Sequence, residues 1–200
     1  MNNSFDLYSP SLNILLDIWL NEDIGRGDLT NCIVIDKRVS AYWITKTAGV
    51  FCGASLVELL FKKLDQSTEV KILVSDGEHI KENQKILELH GAAKALLAGE
   101  RISLNIAMHL SGISTSTSNL AKQLKGTGIH LADTRKTTPG LRQLEKYAFR
   151  CGGGINHRLG LDDAAMLKEN HIAWSKDIKD SVQSLRKKIP WTSKIIVEAE

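Results

Sequence analysis

Ile129-His130-Leu131-Ala132-Asp133-Thr134-Arg135-Lys136-Thr137-Thr138-Pro139-Gly140 passes abruptly from an apolar run to a cationic, hydroxyl-rich one. Its first four residues read as a short strand ending at Asp133. Thr138 and Pro139 then supply an N-cap and a first helical residue for a helix through Phe149. A threonine hydroxyl can satisfy a free N–H there, and proline needs no partner for one it lacks. The same grammar recurs downstream, where Ala164 to Lys168 reads as a strand, Ile178 to Lys187 as a helix and Ile195 to Glu200 as a third strand. Strands alternating with helices predict parallel β-α-β units, in an open sheet or a barrel. Such folds build their sites at the C-terminal ends of strands, where Asp133 and Lys168 fall.

The preceding half has a different pattern. Leu12, Leu15, Leu16 and Trp19 have helical spacing, and a glycine-punctuated loop follows from Asp23 to Asp28. Val39 to Lys46 reads as a strand and Leu56 to Leu64 as a helix. Val70 to Val74 and Lys85 to Leu89 read as short strands separated by a turn at Asp76-Gly77. Ala92 to Leu124 reads as mostly helix, with a break at Ser111-Gly112. The fold expected is α/β, with an α+β unit over residues 1–109 and the β/α unit over 110–200. A complete eight-stranded barrel takes about 250 residues, so the stretch after Gly112 is too short to close one. Because the chain stops on a strand, it is expected to be truncated within its fold.

Apolar residues make up 42% and charged residues 24% of the 200, which excludes a disordered or collagen-like chain. Cys32, Cys52 and Cys151 lack paired spacing, so neither a disulfide framework nor a zinc site is expected. The N-terminus has no signal-peptide pattern, and the apolar run Leu12 to Leu20 is too short for a membrane span. A soluble cytoplasmic protein is expected.

Charge is concentrated. Arg135, Lys136, Arg142, Lys146, Arg150 and Arg158 face a single acid, Glu145, within one segment of a chain whose net charge is +3. A localised basic block points to an anionic partner. Aromatics are 6% of residues and do not interleave with the cations, so a small polyanion fits better than nucleic acid. Arg142, Lys146 and Arg150, four apart, read as a solvated helix face. Thr134, Arg135, Lys136, Thr137 and Thr138, ahead of a helix N-terminus, form a candidate anion cradle. Gly152-Gly153-Gly154 allows close backbone approach and leads into His157-Arg158, a donor imidazole beside a forked guanidinium. Lys168 sits at a strand end, and Glu198 and Glu200, two apart, share one side of a strand.

Together these segments resemble the quinolinate phosphoribosyltransferases. The likeness runs from Asp23-Ile24-Gly25-Arg26-Gly27-Asp28 through Gly99-Glu100-Arg101 and Ser111-Gly112-Ile113-Ser114-Thr115. It is densest in Asp133 to Arg142, Leu144 to Ala148, Gly152 to Arg158 and Lys168-Glu169-Asn170-His171. The resemblance implies an N-terminal α/β sandwich domain beside an incomplete, seven-stranded β/α barrel, of which this chain holds only the first strands. It implies decarboxylating phosphoribosyl transfer to quinolinate, with Mg²⁺ as cofactor, in a homodimer or a higher oligomer. Arg101 matches the arginine that reaches the partner's site. Quinolinate contacts carry over to Arg135, His157 and Arg158, with Thr134 among the substrate-binding residues. Lys136 and Lys168 match catalytic lysines near the phosphoribosyl diphosphate and the reacting ring. Glu200 matches an acid on the ribose and Mg²⁺ side, with Glu198 as the second choice. Other readings are a relative associated with molybdate transport, a nicotinate phosphoribosyltransferase, a basic RNA-binding module and an inactive interaction protein. The helix around His109 departs from the family's usual glutamine-containing one, and a later acid and glycine-rich phosphate turns are not in this sequence.

Overall fold

The computed structural model describes residues 10–175 and 177–198. Helix α1 (Pro10–Ile24) buries Leu12 and Leu16, four residues and therefore about one turn apart. Strands β1 (Arg38–Ile44) and β2 (Gly49–Val50) precede helix α2 (Ala54–Leu64), and strands β3 (Glu69–Ile72), β4 (His79–Ile80) and β5 (Lys85–Ala92) follow it. β5 is the centre of an antiparallel sheet ordered β1-β5-β3, while β2 pairs with β4.

The register sets Trp43 opposite Leu87, and both Ala41 and Val70 opposite Leu89. Alternation along each strand puts these residues on one face. That face packs on Val57 and Phe61 of α2. The other face carries Glu88, paired with Lys71 and Lys85. Helix α2 has a second apolar stripe, Leu56 and Leu60, buried with Leu12, Leu16, Leu110, Leu144 and Ala148. One helix thus joins two cores, because each pair of residues four apart shares a face. Burying a side chain of this kind contributes about 1.5–3 kcal/mol.

Helix α3 (Ala93–Gln123) runs without interruption through Ser111-Gly112, where the sequence suggested a break. Ser111, with Ser114 and Thr115 beyond it, is a docking group. Ser111 Oγ accepts the Cys52 N–H at 3.0 Å, Thr115 Oγ1 accepts the Val50 N–H at 2.9 Å, and Ser114 Oγ donates to the Ala148 carbonyl at 2.8 Å. The turn at Asp76-Gly77 is present, with Gly77 at φ +90°. Asp76 does more than turn the chain. Its Oδ1 accepts the N–H groups of Gly53 and Ala54 at the start of α2, and its Oδ2 accepts the Tyr147 hydroxyl at 2.7 Å.

Two expectations for the next segment are corrected. The run Ile129 to Ala132 is not a full strand; only Ala132 pairs, in an isolated parallel bridge with Ile155. Helix α4 (Arg142–Cys151) starts after Thr138-Pro139 rather than at them. Gly140 takes φ +84°, and the Leu141 N–H closes a turn on the Thr138 carbonyl, so the helical conformation begins later. α4 lies against α3 through Gly152, where a Cβ would fall 2.4 Å from the Ser114 carbonyl oxygen. Cys52 and Cys151 are buried free thiols. A hydrogen bond toward Cys151, reinforced by burial, pushes the Cys52 thiol far above its ordinary range, so it stays protonated.

Strand β6 (Ala164–Leu167), short helix α5 (Glu169–Ala173), helix α6 (Ile178–Lys188) and strand β7 (Lys194–Val197) complete the described chain. β6 and β7 are parallel, as a β-α-β unit requires. The architecture is mixed α/β. Trp174 and Trp191 stand almost fully in solvent, while Trp43 is buried. Among the described residues no helix is long and apolar enough to cross a membrane.

Candidate active site

Lys146 decides the geometry, and it is not where the four-residue spacing put it. Instead of lying on a solvated helix face it is 2% exposed, with its ammonium on the Asp133 carboxylate, itself 7% exposed. The segments 131–133 and 155–158 close over α4 and cover it. The Ile155 N–H donates to the Leu131 carbonyl at 2.9 Å, and the Asp133 N–H donates to the Ile155 carbonyl at 3.1 Å. Asp133 Oδ1 also accepts the His157 N–H at 2.8 Å, and Oδ2 accepts Asn156 Nδ2 at 3.0 Å. Lys146 Nζ reaches the His157 carbonyl at 3.2 Å. A buried charge without a partner would be very costly, so each half of this pair requires the other.

This network joins three motifs that are apart in sequence: the cationic loop after Asp133, the middle of α4, and Asn156-His157-Arg158. Arg135 leaves the junction half-buried, with Thr134 and Lys136 exposed beside it. The Lys136 N–H donates to Thr134 Oγ1 at 3.1 Å, which curls the loop locally. His157 Nδ1 accepts the Arg158 N–H at 2.8 Å, so the neutral ring carries its proton on Nε2. The Arg158 guanidinium donates to the Ala164 carbonyl at 2.8 Å, tying this turn to the start of β6. At the far end of β6, Lys168 Nζ lies 3.0 and 3.1 Å from the two oxygens of Glu198. Arg158 is thus held at the start of β6 and Lys168 at its opposite end, paired with Glu198.

Arg142 is held differently from the solvated arginine expected, donating to Thr137 Oγ1 at 3.1 Å. Glu145, the single acid of the basic block, accepts the Thr138 N–H at 3.1 Å and bonds His109 Nε2 at 2.9 Å. Burial opposes its ionisation most strongly, yet these bonds together outweigh burial and leave its pKa below the ordinary carboxylate value. Arg101 is exposed on α3 and has no ion pair to the cluster among the described residues. It lines a separate cavity of about 250 Å³ with Trp19, Asp23, Asn105, His109 and Leu144. Glu200 lies outside the described residues, and Glu198 is the strand-end acid the structure places against Lys168.

Residues 27–111 match the family described as quinolinate phosphoribosyl transferase, N-terminal domain, and residues 113–200 match its C-terminal domain. The chain belongs to the quinolinate phosphoribosyltransferase family. Among the family's curated members, a probable nicotinate-nucleotide pyrophosphorylase [carboxylating] of Synechocystis sp. is 44% identical over 92% of this chain and 62% of its own. One from Bacillus subtilis is 43% identical over 94% of this chain and 66% of its own. The chain therefore spans just under two thirds of these family members. The crystal structure of NadC from Streptococcus pyogenes superposes with a TM-score of 0.92 at 36% identity, covering 98% of this chain and 70% of that one. The nicotinate-nucleotide pyrophosphorylase structure from Francisella tularensis gives 0.90 at 37% identity, covering 94% and 67%.

Proposed function

We propose that the protein carrying this chain transfers a phosphoribosyl group from phosphoribosyl diphosphate to quinolinate, with loss of CO₂, giving nicotinate mononucleotide and diphosphate. The observation that carries this reading is the junction at Asp133, which bonds Asn156 and His157 of the segment that also carries Arg158, directly ahead of the loop that bears Thr134, Arg135 and Lys136. Quinolinate is a dicarboxylate, and a pocket that desolvates both carboxylates needs fixed cations and donors. Arg135, Arg158 and the Nε2–H of His157 supply them, with Thr134 beside Arg135. The family's relatives named above carry the matching activity in their names.

In this reading Lys136 and Lys168 neutralise the phosphoribosyl diphosphate and the reacting ring. As diphosphate leaves the ribose C1, a strand-end carboxylate stabilises the oxocarbenium-like transition state. Glu200 has that role by family likeness, and Glu198, held by Lys168, is the acid the structure describes just after β7. Mg²⁺ takes one or two protein carboxylates and otherwise phosphate oxygens and water; the family likeness offers Glu200 for it, while both oxygens of Glu198 lie on Lys168. When bound, it would neutralise the departing diphosphate. Attack by the ring nitrogen gives a pyridinium, whose positive charge stabilises the carbanion left on the adjacent ring carbon by departing CO₂ until a proton from water takes the place of the carboxylate. The protein positions and shields the reactants and supplies no nucleophile.

The seven-stranded barrel, the two-domain division at 109/110, the cytoplasmic location and the dimer are parts of the same proposal. In the dimer Arg101 would enter the partner's site, which accounts for an exposed arginine without an ion pair to its own chain's cluster. The test is nicotinate mononucleotide formation by the protein at its natural length, with phosphoribosyl diphosphate and Mg²⁺, comparing quinolinate with nicotinate. Product from quinolinate alone supports the reading. Product from nicotinate alone moves the protein to a non-decarboxylating reaction, and no product from either overturns phosphoribosyl transfer.

A further inference from the structure

We propose that Lys146 is a positioning residue that sets the tautomer of His157, and so fixes a donor toward a carboxylate ligand. The inference rests on the substrate reading above but follows from a chain of atoms that needs no ligand. Lys146 Nζ is anchored by Asp133 and holds the His157 carbonyl at 3.2 Å. That carbonyl and the Arg158 N–H belong to one planar peptide unit, so holding one end aims the other. The Arg158 N–H points back to His157 Nδ1 at 2.8 Å. Nδ1 is thereby an acceptor, and the ring proton is left on Nε2.

The peptide on the other side of His157 is held by the same pair, because its N–H donates to Asp133 Oδ1 at 2.8 Å. Both peptide groups flanking the imidazole therefore hang on one buried ion pair. Asn156 extends the clamp, its Nδ2 bridging Asp133 Oδ2 and the Lys146 carbonyl at 3.0 and 3.2 Å. Lys146 itself is 2% exposed and spends its protons on Asp133 and His157, so it does not serve as one of the ligand's cations. Its charge acts through the backbone. A carboxylate ligand needs an N–H from the ring, and the opposite tautomer would present a lone pair to an anion.

The experiment compares the unaltered natural-length protein with Lys146→Met and with the double variant Asp133→Asn/Lys146→Met. The double variant leaves no unpaired charge if the single one fails to fold. Two quantities are read: the ¹⁵N shifts of the His157 ring without ligand, and KM and kcat for quinolinate. In the unaltered protein one tautomer, protonated at Nε2, is expected. In the folded variant the ring shifts should report a mixture, and KM for quinolinate should rise about tenfold, the low end for losing a hydrogen bond to a charged group. kcat at saturation should change by less than about threefold, whereas a merely structural role lowers the active fraction and so kcat alone. A folded variant with a single Nε2–H tautomer overturns the proposal, as does an unchanged KM in an active one. An unaltered protein that ignores quinolinate defeats the substrate reading alone, because the ring shifts still decide what Lys146 does.

Discussion

Asp65 shows how much one half-buried carboxylate can organise. It accepts the Ser67 hydroxyl and N–H at 2.6 and 2.9 Å and the Ala92 N–H at 3.3 Å, closing the approach to β3 against the end of β5. The Ser67 hydroxyl is the main reason its pKa falls from 3.8 to about 2. A depressed carboxylate contributes stability above its unfolded pKa and loses it as pH falls through the folded one. Asp65→Asn should therefore lower the melting temperature at neutral pH, and the gap from the unaltered protein should close between pH 4 and pH 2. A gap that does not change with pH would assign the loss to shape instead of charge. Arg158 belongs to the same scale. If it meets a carboxylate of quinolinate, Arg158→Ala should cost about 3–5 kcal/mol of binding, read by calorimetry, because a desolvated carboxylate would lose its partner. An affinity equal to that of the unaltered protein would remove Arg158 from the ligand contacts.

At the scale of elements, α3 explains both what the sequence revealed and what it hid. Ser111-Gly112 resembles a helix stop because serine and glycine favour turns and caps. The structure uses Ser111, Ser114 and Thr115 instead to bond neighbouring backbone, a role visible only once β2, the residues after it and α4 are packed in place. Gly112 is exposed within the helix, has ordinary φ, and has nothing within 4 Å of where its Cβ would be. Gly112→Ala should accordingly stabilise the protein by about 0.5–1 kcal/mol in urea denaturation. A destabilisation would mean that another surface closes on this point.

The cationic loop, Asn156-His157-Arg158 and Lys168 stood out in the sequence because a localised set of cations and hydroxyls suits an anionic ligand, and their roles belong to the proposed function. Lys146 was not legible, since spacing along a helix says which residues share a face but not what later covers that face. The apolar run before Asp133 held a usable sign, an acid directly after apolar residues, which needs partners if it is buried. Asp76 was missed for a related reason: a turn residue's long-range partners, here Gly53, Ala54 and Tyr147, are set by topology. The α4 boundary moved because a left-handed glycine outranked a good N-cap signal.

For the whole molecule, the position of Arg101 makes the strongest claim. It lies on α3 beside a cavity also lined by α1 and α4, away from the ion pairs of its own chain's cationic junction. If the site is shared between subunits, Arg101→Ala and Lys136→Ala should each be inactive alone. Mixed after co-expression, they should recover about a quarter of full activity, because half of the subunits pair unlike and each unlike pair holds one intact site. No recovery in verified hybrids would place Arg101 outside the site. The same cavity also contains Trp19, one of four tryptophans in the chain. Trp43 is buried, whereas Trp174 and Trp191 are each 88% exposed. The molecule therefore carries a built-in set of fluorophores. Iodide would silence the two exposed indoles and leave a blue-shifted signal from Trp43 and Trp19. If the proposed second subunit covers this cavity, the emission of Trp19, which lines it with Arg101 and His109, would change on assembly, so assembly could be followed by light without a label.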